Sequence, residues 1–77
     1  MDAEGTVRTV LKQLQIDADG VQDGTRLRED LEIDSTELVE IAVALEAAAP
    51  VAIGNEEIFA ARTFADLVAC VHNAPRR

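Results

Sequence analysis

At 77 residues the chain has room for a single hydrophobic core and sits near the size where burial alone gives marginal stability. Apolar residues are 48% of the chain but aromatics only 3%, with no Trp or Tyr, so aliphatic side chains and alanines must do the packing, a composition that suits helices. Fifteen acidic residues against seven basic ones leave a net charge of -8, which argues against nucleic acid or an anionic membrane surface as partner and points to basic proteins.

The spacing of Val7, Val10, Leu11 and Leu14 puts four apolar groups on one face and predicts a first helix over 3–15, with Arg8, Lys12 and Gln13 left for solvent. A connection over 16–34 follows, long for a small bundle, where about 2 to 8 residues is usual. It opens with the turn formers Asp17, Asp19, Gly20, Asp23 and Gly24 and then carries Leu27, Leu31 and Ile33, which can pin it to the core.

Leu38, Ile41, Ala42 and Leu45 repeat the helical spacing and predict a second helix over 35–48, stopped by Pro50. A short helix is expected over 56–61, capped by Asn55, with Glu56 and Glu57 in its first turn and Ile58 and Phe59 as anchors. Phe64, Leu67, Val68 and Val71 predict the last helix over 64–73, with Thr63 as N-cap and Asp66 completing a variant capping box. Pro75, Arg76 and Arg77 form a tail expected to fray. The sum is one all-α domain over 1–77, a four-helix bundle of three long helices and one short one.

The single Cys70 cannot close an internal disulfide, and neither a signal-peptide pattern nor a long apolar span is present, so the protein is expected to be soluble, cytoplasmic and monomeric. Cys70 sits at the edge of the last helix's apolar stripe and reads as a small core residue. The only histidine, His72, falls in the last turn of the last helix and reads as structural, which leaves no base beside a nucleophile and no basis for catalysis. Asp17, Asp19 and Gly20 resemble the opening of a calcium loop, but Val21, Gln22 and Arg28 occupy places that need an oxygen ligand, the turning glycine and the closing glutamate, so no metal site is expected beyond adventitious binding in the acidic loop.

With Asp34 as N-cap and Glu37 at the third helical position, Ser35 opens the second helix, its hydroxyl facing solvent beside unpaired backbone N–H groups. That placement suits a modified serine and equally suits a plain polar residue in a capping context. The run Leu27-Arg28-Glu29-Asp30-Leu31-Glu32-Ile33-Asp34-Ser35, followed by Glu37-Leu38-Val39-Glu40-Ile41 and Ala44-Leu45-Glu46, resembles the acyl carrier protein family around its Asp-Ser-Leu modification motif. The likeness extends to the first amphipathic helix, the long first loop, the Ile53-Gly54-Asn55-Glu56-Glu57 entry to the short helix, and the last helix.

The resemblance implies that Ser35 accepts 4'-phosphopantetheine from coenzyme A through a phosphopantetheinyl transferase that brings the metal and the base. The new phosphodiester would lie at the positive end of a helix. Asp34 would repel it and is assigned to capping and to contacting the transferase. Thr36, beside the arm, departs from the Leu or Met usual in the family and implies a specialised partner set. Ala48 and Ala49 stand where the family has a large apolar residue, and Phe59 is a candidate to fill part of that space.

By the same resemblance the second helix docks basic patches of acyl- or aminoacyl-loading and processing enzymes. Glu37, Glu40 and Glu46 would form its acidic rim and Val43, Ala44 and Ala47 a small apolar patch. The implied function is a discrete carrier, acting in trans, that holds thioester intermediates in fatty acid, polyketide or nonribosomal peptide assembly. The competing reading is an unmodified acidic helical module that binds a basic protein.

Overall fold

The computed structural model describes residues 2–76. Four helices run in chain order: α1 (Ala3–Gln13), α2 (Ser35–Ala48), α3 (Asn55–Ala60) and α4 (Phe64–Asn73). α1 packs on α2 and α4, and α3 bridges α2 and α4, in a body of 30 × 23 × 20 Å. The described residues contain no strand, only two isolated antiparallel bridges, so the all-α bundle of three long helices and one short one stands.

The core is aliphatic around one aromatic ring. Val7, Val10 and Leu11 of α1, Leu38, Ile41 and Leu45 of α2, Ile58 of α3, and Phe64 and Leu67 of α4 are all fully buried or nearly so. Each is where the helical period places it, and each large side chain contributes about 1.5 to 3 kcal/mol by leaving water.

The ends of the helices explain most departures from the sequence pattern. α1 stops at Gln13, two residues early, because Gln15 takes the left-handed conformation (φ 63°) and closes a Schellman cap. Ile16 N–H donates to Leu11 O (2.9 Å) and Gln15 N–H to Lys12 O (3.0 Å), while half-buried Ile16 packs against the core. α3 begins at Asn55, so Asn55 is its first helical residue and not its cap; Gly54 holds that position without any side-chain bond. Within α3 only Ile58 is buried. Phe59 is 48% exposed, so it is not the second buried anchor expected of this helix. Ala49 itself is buried and closes that end of α2.

Arg8 does not face solvent freely. Its guanidinium donates to Val21 O (2.9 Å) and Ala18 O (3.4 Å) and lies 4.7 Å from the centre of the Phe64 ring, tying the start of the long loop to α1 and α4. The loop is held at two further places. Leu27 and Ile33 are buried with Leu31 packed beside them, and Arg26 pairs with Thr63: Leu27 N–H donates to Arg62 O and Phe64 N–H to Thr25 O, both at 2.9 Å. Of the tail expected to fray, Arg76 bridges Val51 and Pro75 O accepts from Ala52 N–H (2.9 Å); Arg77 lies outside the described residues.

Candidate functional site

The site is built by the turn that precedes α2. Asp30 and Leu31 N–H both donate to Arg26 O (3.0 and 3.2 Å), forming a single helical turn that ends at Glu32, which is left-handed at φ 56°. A non-glycine residue there costs about 1 kcal/mol, offset by what the reversal buries: Leu27 on one side, Ile33 on the other, joined by Ile33 N–H to Leu27 O at 3.0 Å. Arg26 holds the outside of the turn, bonded to Asp30 (3.1 Å) and close to Glu29 (3.7 Å). Its side-chain hydrogen bond is the main cause that holds the Asp30 carboxyl below the usual carboxylate range.

α2 then opens with a full capping box. Asp34 Oδ1 accepts from Glu37 N–H (2.8 Å) and Glu37 Oε1 accepts from Asp34 N–H (3.1 Å). Both carboxylates are committed to the backbone, so Ser35 is not needed as a cap and its exposed hydroxyl is free at the first helical position. The Ser35 and Thr36 N–H groups have no carbonyl a turn earlier to bond, which makes this end of a fourteen-residue helix locally positive. One partner was missed from sequence: Arg28 Nη2 donates to Ser35 Oγ at 3.1 Å.

The outward stripe of α2 carries Thr36, Val39, Glu40, Val43 and Ala47, all exposed, with Val43 at 62% and Val39 at 43%. Val39 was not singled out in the sequence. The other rim and patch residues are less open: Glu37 and Ala44 are half-buried, and Glu46 Oε2 accepts from Ile53 N–H (3.0 Å), fixing the link to α3.

The remaining reactive groups are not assembled with Ser35. Cys70 donates to Glu57 O (3.6 Å), and burial first, then the charges of Asp66 and Glu57, push its thiol up. His72 is exposed in the last turn of α4. Asp17 Oδ1 accepts from Asp19 N–H (3.0 Å) within a local turn, and among the described residues no group of three or more His, Cys, Asp or Glu could hold a metal. None of the described helices is long and apolar enough to cross a membrane.

Ser35 thus presents an outward hydroxyl with no capping duty, whose one hydrogen bond among the described residues comes from the Arg28 guanidinium. The sequence profile of the family described as "Phosphopantetheine attachment site" matches residues 6–71. An acyl carrier protein of Helicobacter hepaticus (strain ATCC 51449 / 3B1) is 37% identical over 68 residues, which is 88% of this chain and 90% of that relative. The chain belongs to the acyl carrier protein family. It is therefore a carrier and not a catalyst, it bears 4'-phosphopantetheine covalently, and it meets a phosphopantetheinyl transferase and acyl-processing enzymes.

The residues fit such an arm. An acyl carrier protein needs one accessible hydroxyl on a rigid edge, with donors for a phosphodiester; Ser35 Oγ, the Arg28 guanidinium and the first N–H groups of α2 are together at one point. The arm supplies the thiol on which an acyl group is held.

Proposed function

We propose that Ser35 is the attachment residue and that the protein carries acyl intermediates as thioesters in fatty acid, polyketide or nonribosomal peptide assembly. The observation that carries this reading is the exposed Ser35 hydroxyl at the first position of α2, with Asp34 and Glu37 occupied by the capping box. In the transfer, Ser35 Oγ bonds to the phosphorus of coenzyme A that bears the pantetheine. The pyrophosphate P–O bond breaks, 3',5'-ADP leaves with that electron pair, and the hydroxyl proton passes to a base on the transferase. Asp34 contributes the cap and a contact to the transferase; its charge does not favour the phosphate.

We further propose that partners dock on the outward stripe of α2. Its acidic member is Glu40, and its apolar members Val39 and Val43 lie beside Thr36, so a partner seated there meets the arm at its root. Ala47 extends the stripe, whereas Glu37, Ala44 and Glu46 support it from inside. The acidic helix favours acyl over aminoacyl cargo, and Thr36, a hydroxyl where the family has an apolar group, favours a specialised set of partners.

The test is loading. Incubation with coenzyme A and a promiscuous phosphopantetheinyl transferase is expected to add one arm by intact mass, located on Ser35 by peptide mapping. Ser35→Ala, at an exposed position, is expected to stay within about 0.5 kcal/mol of wild-type stability and take no arm. An arm on the alanine variant would overturn the assignment.

A further inference from the structure

Arg28 stands out as a cation beside Ser35 that makes no ion pair among the described residues. The chain has no Lys or Arg between Arg28 and Arg62, while Glu29, Asp30, Glu32, Asp34, Glu37 and Glu40 crowd the same stretch. Acidic neighbours are available, yet Arg26 takes Glu29 and Asp30, and among the described residues Arg28 forms no ion pair. Its described side-chain bond goes seven residues along the chain to a neutral atom, Ser35 Oγ, at 3.1 Å. The left-handed turn at Glu32 folds the loop back so that the two meet.

We propose that Arg28 is the phosphate clamp of the carrier: its guanidinium holds the phosphodiester formed on Ser35 and fixes the root of the arm. The proposal rests on Ser35 as the attachment residue. Once Oγ becomes an ester oxygen it is a poor acceptor, and the negative charge moves one bond outward to the non-bridging oxygens. The guanidinium already points at Oγ and presents donors in a planar fork that matches those oxygens. The Ser35 and Thr36 N–H groups face the same anion from the helix side. Asp34 and Glu37 repel it, and their carboxylates cannot turn away without breaking the cap. Arg28 offsets that repulsion and would hold the phosphodiester against the start of α2.

The test uses the full-length carrier in apo and holo forms, as wild type, Arg28→Gln and Arg28→Lys, with Ser35 loading checked by mass first. In the wild type, attachment is expected to shift the Arg28 side-chain 15N resonance, and the 31P signal is expected to relax as part of the folded body. In Arg28→Gln the 31P signal narrows as the phosphate moves freely, and Arg28→Lys falls between the two. The apo-to-holo change in folding equilibrium constant is expected to be about two- to fivefold less favourable in Arg28→Gln than in wild type at low salt, with the difference fading as salt is added. An arm on Ser35 with the same 31P relaxation and the same apo-to-holo change in all three proteins overturns the clamp and leaves the attachment site standing. Absence of an arm on Ser35 overturns both.

Discussion

Asp34→Ala tests whether the geometry of Ser35 depends on the cap beside it. The substitution removes the Asp34 Oδ1 acceptor from Glu37 N–H, a 2.8 Å bond at the mouth of α2, and leaves that donor to water. Loss of an N-cap costs about 1 kcal/mol, and loss of a carboxylate at the positive helix end adds a few tenths more. The sum, about 1 to 2 kcal/mol, corresponds in a domain of this size to a fall in Tm of about 5 to 15 °C. The loss is local as well as global, because the first turn that frays contains Ser35. Amide exchange at Glu37 and Leu38 is expected to accelerate, and transferase loading to slow by up to about tenfold as the ordered first turn becomes less populated. Asp34→Ser separates cap from charge, since serine caps about as well: Tm and exchange return to within about 0.5 kcal/mol of wild type. Loading that recovers with Asp34→Ser is attributable to helix geometry; loading that stays slow marks the Asp34 charge as a transferase contact. Wild-type Tm and unchanged exchange in Asp34→Ala would refute the capping account of the site.

Three further outcomes follow from the geometry. Arg8→Met keeps the aliphatic stem but loses the bond to Val21 O and the contact with the Phe64 ring, so unfolding by denaturant is expected to show a loss of about 1 to 2 kcal/mol, with exchange of amides in 17–25 rising first; full protection of that segment would show the loop held without Arg8. Glu40→Lys reverses an exposed charge on the proposed docking stripe, so association with a processing enzyme in stopped-flow is expected to slow severalfold at low salt and little at high salt; rates insensitive to salt would reduce Glu40 to a solvated residue. Thr36→Leu is expected to leave Tm and loading close to wild type while shifting relative turnover between native partners and generic fatty acid enzymes by about 1 to 3 kcal/mol, and equal ratios for both proteins would mark Thr36 as neutral.

What could be read from the sequence is what depends on neighbours in the chain. The second and last helices, and the capping boxes Asp34–Glu37 and Thr63–Asp66, each involve residues within one turn, so spacing alone exposes them. The end of α1 was misjudged because a Schellman cap usually shows itself through glycine, and here Gln15 takes the left-handed position under the pull of Ile16 toward the core. In α3, Ile58 and Phe59 are adjacent in a helix of six residues, too short for a period to tell which faces in; packing against α2 and α4 chose Ile58. Arg8 and Arg28 were both opaque for a related reason. Their partners are backbone carbonyls, an aromatic face and a hydroxyl reached only after the loop folds back, and a cation on a polar position gives no sign of such a destination.

The length of the first loop, anomalous for a small bundle, has a physical explanation in where its tethers fall. Arg8 fixes its start to α1 and α4, the Arg26–Thr63 bridge fixes its middle to the mouth of α4, and Leu27 and Ile33 bury its last turn just before Asp34. A short connection between α1 and α2 would leave Ser35 at the end of an unsupported helix whose first turn frays. With the loop in place, α2 begins against buried Ile33 on one side and a capping box on the other, so the exposed serine hydroxyl sits on a backbone held by both. The same fold-back brings Arg28 level with Ser35. The ordered start of α2 and the approach of Arg28 to Ser35 thus share one origin, the turn at Glu32.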